Sequence, residues 1–190
     1  MNQQILVTKR DGRKEAFDLE KVHKVLEWAT LDITNVSISE IELKANIQLY
    51  DKIPAYSIHE LLIKSAAELI SEHTPNYQYV AARLVNYKLR KEVYNSSEPC
   101  SMVSLVIDNV DRGVYDGAIM QMYTRDELDI LDAYIKHDRD ANFTYVAMEQ
   151  FRGKYLVQDR GSKIVFETPQ MAYMMICLLY TSPSPRDVEE

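Results

Sequence analysis

The sequence predicts a mainly α-helical protein in which a β-hairpin caps the first group of helices. Apolar residues recur at helical spacing in several segments, of which 58–70 is the clearest. Three capping boxes and one Thr-Pro pair mark predicted helix starts. Asp11-Gly12 is the main turn signal near the start of the chain, because glycine adopts a positive φ without strain. These observations predict a hairpin over four helices in residues 3–94, followed by a helical block with a second short hairpin.

The first predicted hairpin has strand-like runs at residues 5–8 and 14–17, joined by the two-residue turn Asp11-Gly12. Asp18 is a suitable N-cap for the helix that follows, since its carboxylate can accept from free N–H groups. Cationic side chains surround the turn close to the positive end of that helix, a geometry that can hold a polyphosphate. The same residues also suit an ordinary hairpin with solvated lysines, and the local pattern alone favours that simpler interpretation.

Apolar spacing, capping boxes and proline positions predict where the other helices of the first domain begin and end. The first helix carries its apolar stripe over residues 19–29, and residues 51–56 are predicted to form a loop because they include Pro54. Capping boxes at residues 39–42 and 57–60 predict the starts of the second and third helices. Thr74-Pro75 predicts the start of the fourth, which we expect to end at Val93 or Tyr94.

A short polar run at residues 95–99 predicts a boundary before a second domain at 98–178. This block has a helix over 102–110, a third capping box at 124–127, and a helix over 142–151. Strand-like runs at 155–157 and 164–166 flank a turn at 159–162, and Pro169 opens a helix through Leu179. The last stretch, 181–190, is rich in serine and proline and is expected to be disordered.

Composition narrows the classes of function. The chain has 190 residues and a formal net charge of −7, which argues against broad nucleic-acid binding. Basic residues nevertheless cluster around the hairpin and near the end of the fourth helix, which suits a small anionic ligand. The two cysteines, Cys100 and Cys177, lack metal-binding spacing and are predicted to be small buried hydrophobes. No signal peptide or membrane span is predicted, and the expected localisation is cytoplasmic.

Several segments together resemble a known family. VTKRDGRKEAFDLEKVHKVLEWA, VSISEIELKANIQLYD, SIHELLIKSAAELI and PNYQYVAARLVNYKLRKEVY are similar to the ATP-cone domain of ribonucleotide reductase large subunits. The segments EPCSMVSLVIDNVDRGVYD, KHDRDANFTYVAMEQFRGKYLV and ETPQMAYM resemble the helical region that precedes the reductase barrel in aerobic, class I enzymes. The likeness covers roughly residues 3–178. Residues after Leu178 depart from it, which suggests a truncated or wrongly joined reading frame.

This resemblance implies a regulatory role. The cone would bind ATP or dATP, with Mg²⁺ expected, and would adjust ribonucleoside-diphosphate reduction for DNA synthesis. The implied partners are a small radical-generating β subunit and further copies of the full-length large subunit, with no nucleic acid or membrane. The thiyl-radical and reducing cysteines of the family would lie beyond residue 190, so this chain is expected to hold no catalytic residue and to be inactive alone.

The resemblance also implies a set of effector-binding residues. Lys9, Arg10 and Lys91 match phosphate contacts, and His59 matches a position near the ribose or phosphates. Residues 15–21 match the segment around the base and ribose, in which Glu15 and Asp18 can accept hydrogen bonds and Lys21 adds charge. Candidates for the apolar walls around the adenine are Val7, Val22, Ile58 and Tyr87. Ala55 stands where family members often carry threonine, which puts base selectivity and the distinction between ATP and dATP in question.

Simpler roles compete with these assignments. Val22 and Ile58 also fit the helix core, Asp18 fits a plain N-cap, and His59 fits a surface position. Two other functions remain open, which are a stand-alone adenine-nucleotide sensor and a helical interaction domain without ligand. A zinc-ribbon repressor with a cone is disfavoured, because no cysteine quartet is present.

Overall fold

The computed structural model describes residues 5–9, 12–46 and 48–181, and confirms the mainly α fold. Arg10, Asp11 and residues 182–190 lie outside the described residues, so the predictions on them are not addressed by the structure. The strands are β1 (Leu6–Thr8), β2 (Lys14–Ala16) and β3 (Ile53–Pro54). The helices are α1 (Leu19–Thr30), α2 (Ile38–Asn46), α3 (Ala55–Ala67), α4 (Tyr77–Tyr94), α5 (Met102–Asp111), α6 (Ile119–Met122), α7 (Arg125–Asp132), α8 (Tyr145–Gln150) and α9 (Pro169–Thr181).

The small sheet has the order β2-β1-β3, with β1 antiparallel to β2 and parallel to β3. The predicted two-residue turn is wrong, because the Lys9 N–H donates to the Arg13 carbonyl and the connection is therefore longer. Gly12 has a φ of +81°, as expected of glycine in such a connection. The prediction of a loop over residues 51–56 is wrong, because this stretch contains β3 and the start of α3. Just before β3, Asp51 Oδ1 accepts a hydrogen bond from the Leu6 N–H of β1 at 3.1 Å.

The structure confirms some of the predicted helix starts and corrects others. The Thr124 box of α7 is complete, and Asp18 caps α1 as expected. The box at 39–42 is wrong, because α2 starts earlier and Ser37 Oγ accepts from the Glu40 N–H instead. The box at 57–60 is wrong as well, because the chain enters α3 directly from the extended Pro54. The fourth helix begins two residues after Pro75, at Tyr77.

The chain divides into two compact units, of which the first holds the described residues up to Lys88 and Ala141–Gln150. Its core is formed mainly by α1, α2, α3 and the first part of α4, with Leu26, Ile41 and Leu62 almost fully buried. Arg83 donates to the carbonyls of Ala29 and Leu31 at the C-terminal end of α1. A cation there satisfies carbonyl groups that no intrahelical N–H can reach.

The second unit holds Leu89–Asp140 and the described residues from Phe151 onward. Its larger cluster includes Met102, Val106 and Leu128. The second predicted hairpin is reduced to one bridge, Gln158 with Val165, around a turn in which Asp159 Oδ1 accepts from two backbone N–H groups. A π-helical turn, Phe151–Tyr155, takes up part of the first predicted strand, and a 3₁₀ segment spans His137–Asn142.

The cysteines of the second unit differ in their surroundings. Cys100 is half-buried, and burial raises the pKa of its thiol. Cys177 is exposed on α9, so the prediction that it is buried is wrong. The stripe of α9 places Met175 and Leu178 inward, which leaves Cys177 on another face of the helix.

Removing the Tyr77 hydroxyl should destabilise the protein. The Tyr77 side chain is fully buried; its hydroxyl donates to Glu40 Oε2 at 2.6 Å and accepts from the Ser37 N–H at 2.9 Å. Tyr77→Phe leaves these partners unsatisfied, so the free energy of unfolding should fall by about 1–3 kcal/mol in urea denaturation. Tyr50→Phe is the matched control, because Tyr50 is exposed and should change stability little. Equal effects of the two substitutions would contradict this role.

Candidate functional site

The hairpin brings the side chains of Lys9 and Glu15 together. Lys9 Nζ lies 3.2 Å from Glu15 Oε2, and both side chains keep a large exposed fraction. Lys9 follows β1 and Glu15 is the middle residue of β2, so the antiparallel register brings two of the predicted site residues together. An exposed ion pair contributes little to stability, which leaves the Lys9 ammonium able to exchange its partner at low cost.

Lys9 also lies near the start of α3. In the parallel pairing of β1 with β3, Thr8 is opposite Pro54, so Lys9 and Ala55 leave the sheet at the same edge. Ala55 is the first residue of α3, and Pro54 at its N-cap provides no side-chain hydrogen bond. The first turn of a helix carries partial positive charge and unpaired N–H groups. A lysine and a helix start side by side form a suitable place for an anion.

Asp18 and Lys21 form a second pair at the start of α1. Asp18 Oδ1 accepts from the Glu20 and Lys21 N–H groups, and its Oδ2 lies 3.4 Å from Lys21 Nζ. Partial desolvation acts to raise the pKa of Asp18, but the hydrogen bonds and the Lys21 charge together outweigh it and lower the pKa. Asp18 therefore serves as the N-cap, and Lys21 remains exposed beside it.

An open pocket of about 260 Å³, including the solvent at its mouth, lies among α1, α2 and α3. Its walls include Val22 and Ile58, both half-buried and both predicted as apolar walls of the site. Sequence reasoning missed the other lining residues, which are Phe17, Leu19, Glu42, Ala45, Asn46, Leu49, Leu61 and Leu62. Phe17 directly follows β2, so the pocket adjoins the end of the hairpin. Its lining is mainly apolar, and the space that it encloses is about 10 Å³, so it is a shallow cleft with room for about one water molecule.

His59 and Tyr87 belong to a row of rings in the first unit. The His59 ring centroid lies 5.4 Å from that of Tyr87, and Tyr87 lies 5.7 Å from Trp28. Burial raises the pKa of Tyr87, so it stays neutral at physiological pH. Trp28 was missed, although as the single tryptophan of the chain it was a visible candidate.

Some predicted residues are not brought into these groups. Val7 is buried in the centre of β1, where it serves the core. Lys91 is half-buried in the last turn of α4 and belongs to the second unit. Its role in binding therefore stays a prediction from the resemblance, as does that of Arg10.

The chain is similar in sequence to known proteins over nearly its whole length. Residues 5–92 match the family model described as the ATP cone domain. The α subunit of ribonucleoside-diphosphate reductase 1 from Salmonella typhimurium is 45% identical over 187 residues, and that from Escherichia coli K12 is 46% identical; each alignment covers 98% of this chain. The reductase α subunit of Enterobacteria phage T4 is 39% identical over 97% of the chain. The chain spans about a quarter of the length of these relatives.

The hairpin, the start of α3 and most of the helical core of the first unit lie within the residues that match the ATP cone model, and this places the first unit in the class of ATP cone domains. Residues 5–92 therefore correspond to an ATP cone domain, and nearly the whole chain is similar to about a quarter of the length of ribonucleoside-diphosphate reductase α subunits. Within the described residues, no helix has both the length and the apolar character needed to cross a bilayer.

Replacing Asp18 should separate its capping role from its charge. Asp18→Ala removes the acceptor of two N–H groups and should lower the free energy of unfolding, whereas Asp18→Ser retains a cap and should lower it much less. Thermal and urea unfolding at pH 7 measure both. Because folding lowers the Asp18 pKa, its stabilisation is present above the unfolded value of 3.8 and is lost as pH falls below it. A Ser variant as unstable as the Ala variant would contradict the capping role.

Proposed function

We propose that this chain is the effector-binding region of a ribonucleoside-diphosphate reductase large subunit and binds ATP or dATP at the hairpin. The observation that carries the proposal is the β1–β3 pairing, which brings Lys9 and the start of α3 to the same end of the sheet. The match of residues 5–92 to the ATP cone model supports an adenine nucleotide as the anion. Mg²⁺ is expected to accompany the phosphates, because it commonly binds through substrate phosphates.

The phosphates are the part of the ligand that this geometry serves best. Lys9 and the N–H groups of the first turn of α3 would donate charge-assisted hydrogen bonds to phosphate oxygens. Arg10 and Lys91 would add to this charge by resemblance. Glu15 would repel a phosphate, so on binding Lys9 turns toward the ligand and Glu15 accepts from a neutral donor such as a ribose hydroxyl.

The base and ribose would use the first unit's apolar and aromatic groups. Val22 and Ile58 line a shallow cleft and would contact one face of an adenine ring from its mouth. His59 and Tyr87 supply ring surfaces in the same unit, and Asp18 and Lys21 flank the start of α1. Ala55 offers no hydroxyl at the start of α3, so we propose that base selectivity depends on backbone groups and neighbouring side chains.

The regulatory role extends beyond this chain. The relatives are α subunits of ribonucleoside-diphosphate reductase, and the proposed partners are a small radical-generating β subunit and further α subunits. Reduction itself would depend on parts of such relatives outside the quarter that this chain matches. A cytoplasmic location is proposed on the same grounds.

Replacing Lys9 should weaken nucleotide binding. Lys9→Met removes one charge-assisted contact to the phosphates, worth about 1.5–3 kcal/mol, so the Kd for ATP should rise about ten- to a hundred-fold. Because both nucleotides carry the same phosphates, dATP should weaken equally. Isothermal titration calorimetry with Mg²⁺ at moderate salt measures both, and the fluorescence of the single tryptophan provides a second signal.

The control for this substitution is Lys14→Met. Lys14 has the same charge on the same hairpin, but it is opposite Thr8 rather than at the start of α3. We expect it to change the Kd less than threefold, the range of general surface electrostatics. Equal losses in the two variants would show that only overall charge matters and would contradict the site. Lys91→Met should also weaken ATP binding, an expectation that rests on the resemblance alone.

A further inference from the structure

A polar cluster is buried in the second unit, where residues 137–140 of the 3₁₀ segment meet the end of α4 and the start of α9. Asp140 is completely buried, and its Oδ1 accepts from Gln170 Nε2 at 2.9 Å. Arg90 is about nine-tenths buried, and its Nη2 donates to the His137 carbonyl at 3.0 Å. These two hydrogen bonds attach the segment to α4 and to α9.

The cluster is incompletely paired. Among the described residues, Asp140 Oδ2, Arg90 Nε and His137 Nδ1 are buried atoms with no hydrogen-bond partner. Buried polar groups are normally satisfied, and each unsatisfied one costs free energy. An ionised Asp140 would be a buried anion with one hydrogen bond and an unsatisfied oxygen, whereas a neutral carboxyl group avoids most of the cost of burying charge.

We propose that Asp140 is a proton-sensitive lock, which holds the 3₁₀ segment against α9 more firmly when its carboxyl group is neutral. This inference concerns only the second unit and does not depend on nucleotide binding. It assigns a role to a buried carboxylate that the proposed effector site does not use.

The electrostatic surroundings are consistent with such a lock. Burial raises the pKa of Asp140 to about 6, while the Gln170 hydrogen bond and the Arg90 charge lower it and the Asp138 charge raises it. Tyr94 on α4 also interacts with Asp140 and remains neutral, because its pKa is raised mainly by burial. The group from α9 is Gln170, which is uncharged. Burial therefore outweighs the attraction of Arg90.

The sign of the pH dependence follows from the direction of this shift. The folded pKa of about 6 exceeds the ordinary value of 3.8, so the folded state holds the proton more tightly. The contribution of Asp140 to stability is present below pH 3.8 and is lost as pH rises through 6. His137 acts in the opposite direction, because burial and the Arg90 charge lower its pKa and protonation at low pH opposes folding.

Variants isolate Asp140 from these other groups. Between pH 5 and 7.5, titration of Asp140 should raise the unfolding equilibrium constant roughly tenfold. Asp140→Asn removes the titrating carboxyl group. The ratio of the unfolding equilibrium constants at pH 7.5 and pH 5 should therefore be about tenfold smaller in the variant than in wild type. Asp129→Asn is the control, since Asp129 is an exposed carboxylate on α7 that does not act on Asp140, and it should leave the difference nearly unchanged. Urea unfolding of the full chain at both pH values gives the comparison.

A measurement on the wild-type chain covers the case in which Asp140→Asn fails to fold. The ¹³Cγ resonance of Asp140, assigned through the backbone, should titrate with a midpoint near 6. Amide exchange at residues 137–140, corrected for the intrinsic pH dependence, should show weaker protection at pH 7.5 than at pH 5. A midpoint near 3.8, protection that does not depend on pH, or identical pH dependence in wild type and Asp140→Asn would each overturn the lock.

Discussion

The parallel pairing of β1 with β3 is the contact on which the candidate site depends. It involves Val7 with Ile53 and Thr8 with Pro54, and Thr8 Oγ1 reinforces it by donating to the Lys52 carbonyl. A hairpin of two three-residue strands is marginal in water by itself. The third strand connects the hairpin directly to α3, since Ala55 follows Pro54 without a loop. The position of Lys9 thus follows from the helical core.

The first unit satisfies its helix ends with side chains that come from distant parts of the sequence. Arg83 on α4 reaches the last carbonyls of α1, with Nη1 2.6 Å from the Leu31 oxygen. Tyr77 at the start of α4 bonds both the Ser37 N–H and Glu40 near the start of α2. These contacts fix α1 and α2 against α4 more specifically than apolar packing alone.

The two units use charge in different ways. In the first, Lys9 and Lys21 are exposed and paired with carboxylates, so their charges can be redirected to a ligand at small cost. In the second, Asp140 and Arg90 are buried with atoms unsatisfied, so any change in protonation acts on stability. The exposed lysines of the first unit can therefore exchange their partners, whereas protonation of the buried Asp140 changes the stability of the second unit.

The sequence by itself determined the helical class, the Asp18 cap, the Thr124 box and the main apolar stripes, because these depend on side chains close together in the chain. The resemblance supplied the candidate residues. Only the tertiary structure decided the contacts between distant residues. These are the short β3, the pairing that sets Lys9 beside α3, the Trp28–Tyr87 contact and the burial of Asp140. Strand pairing and burial depend on what packs from elsewhere, and local propensity carries no information about that.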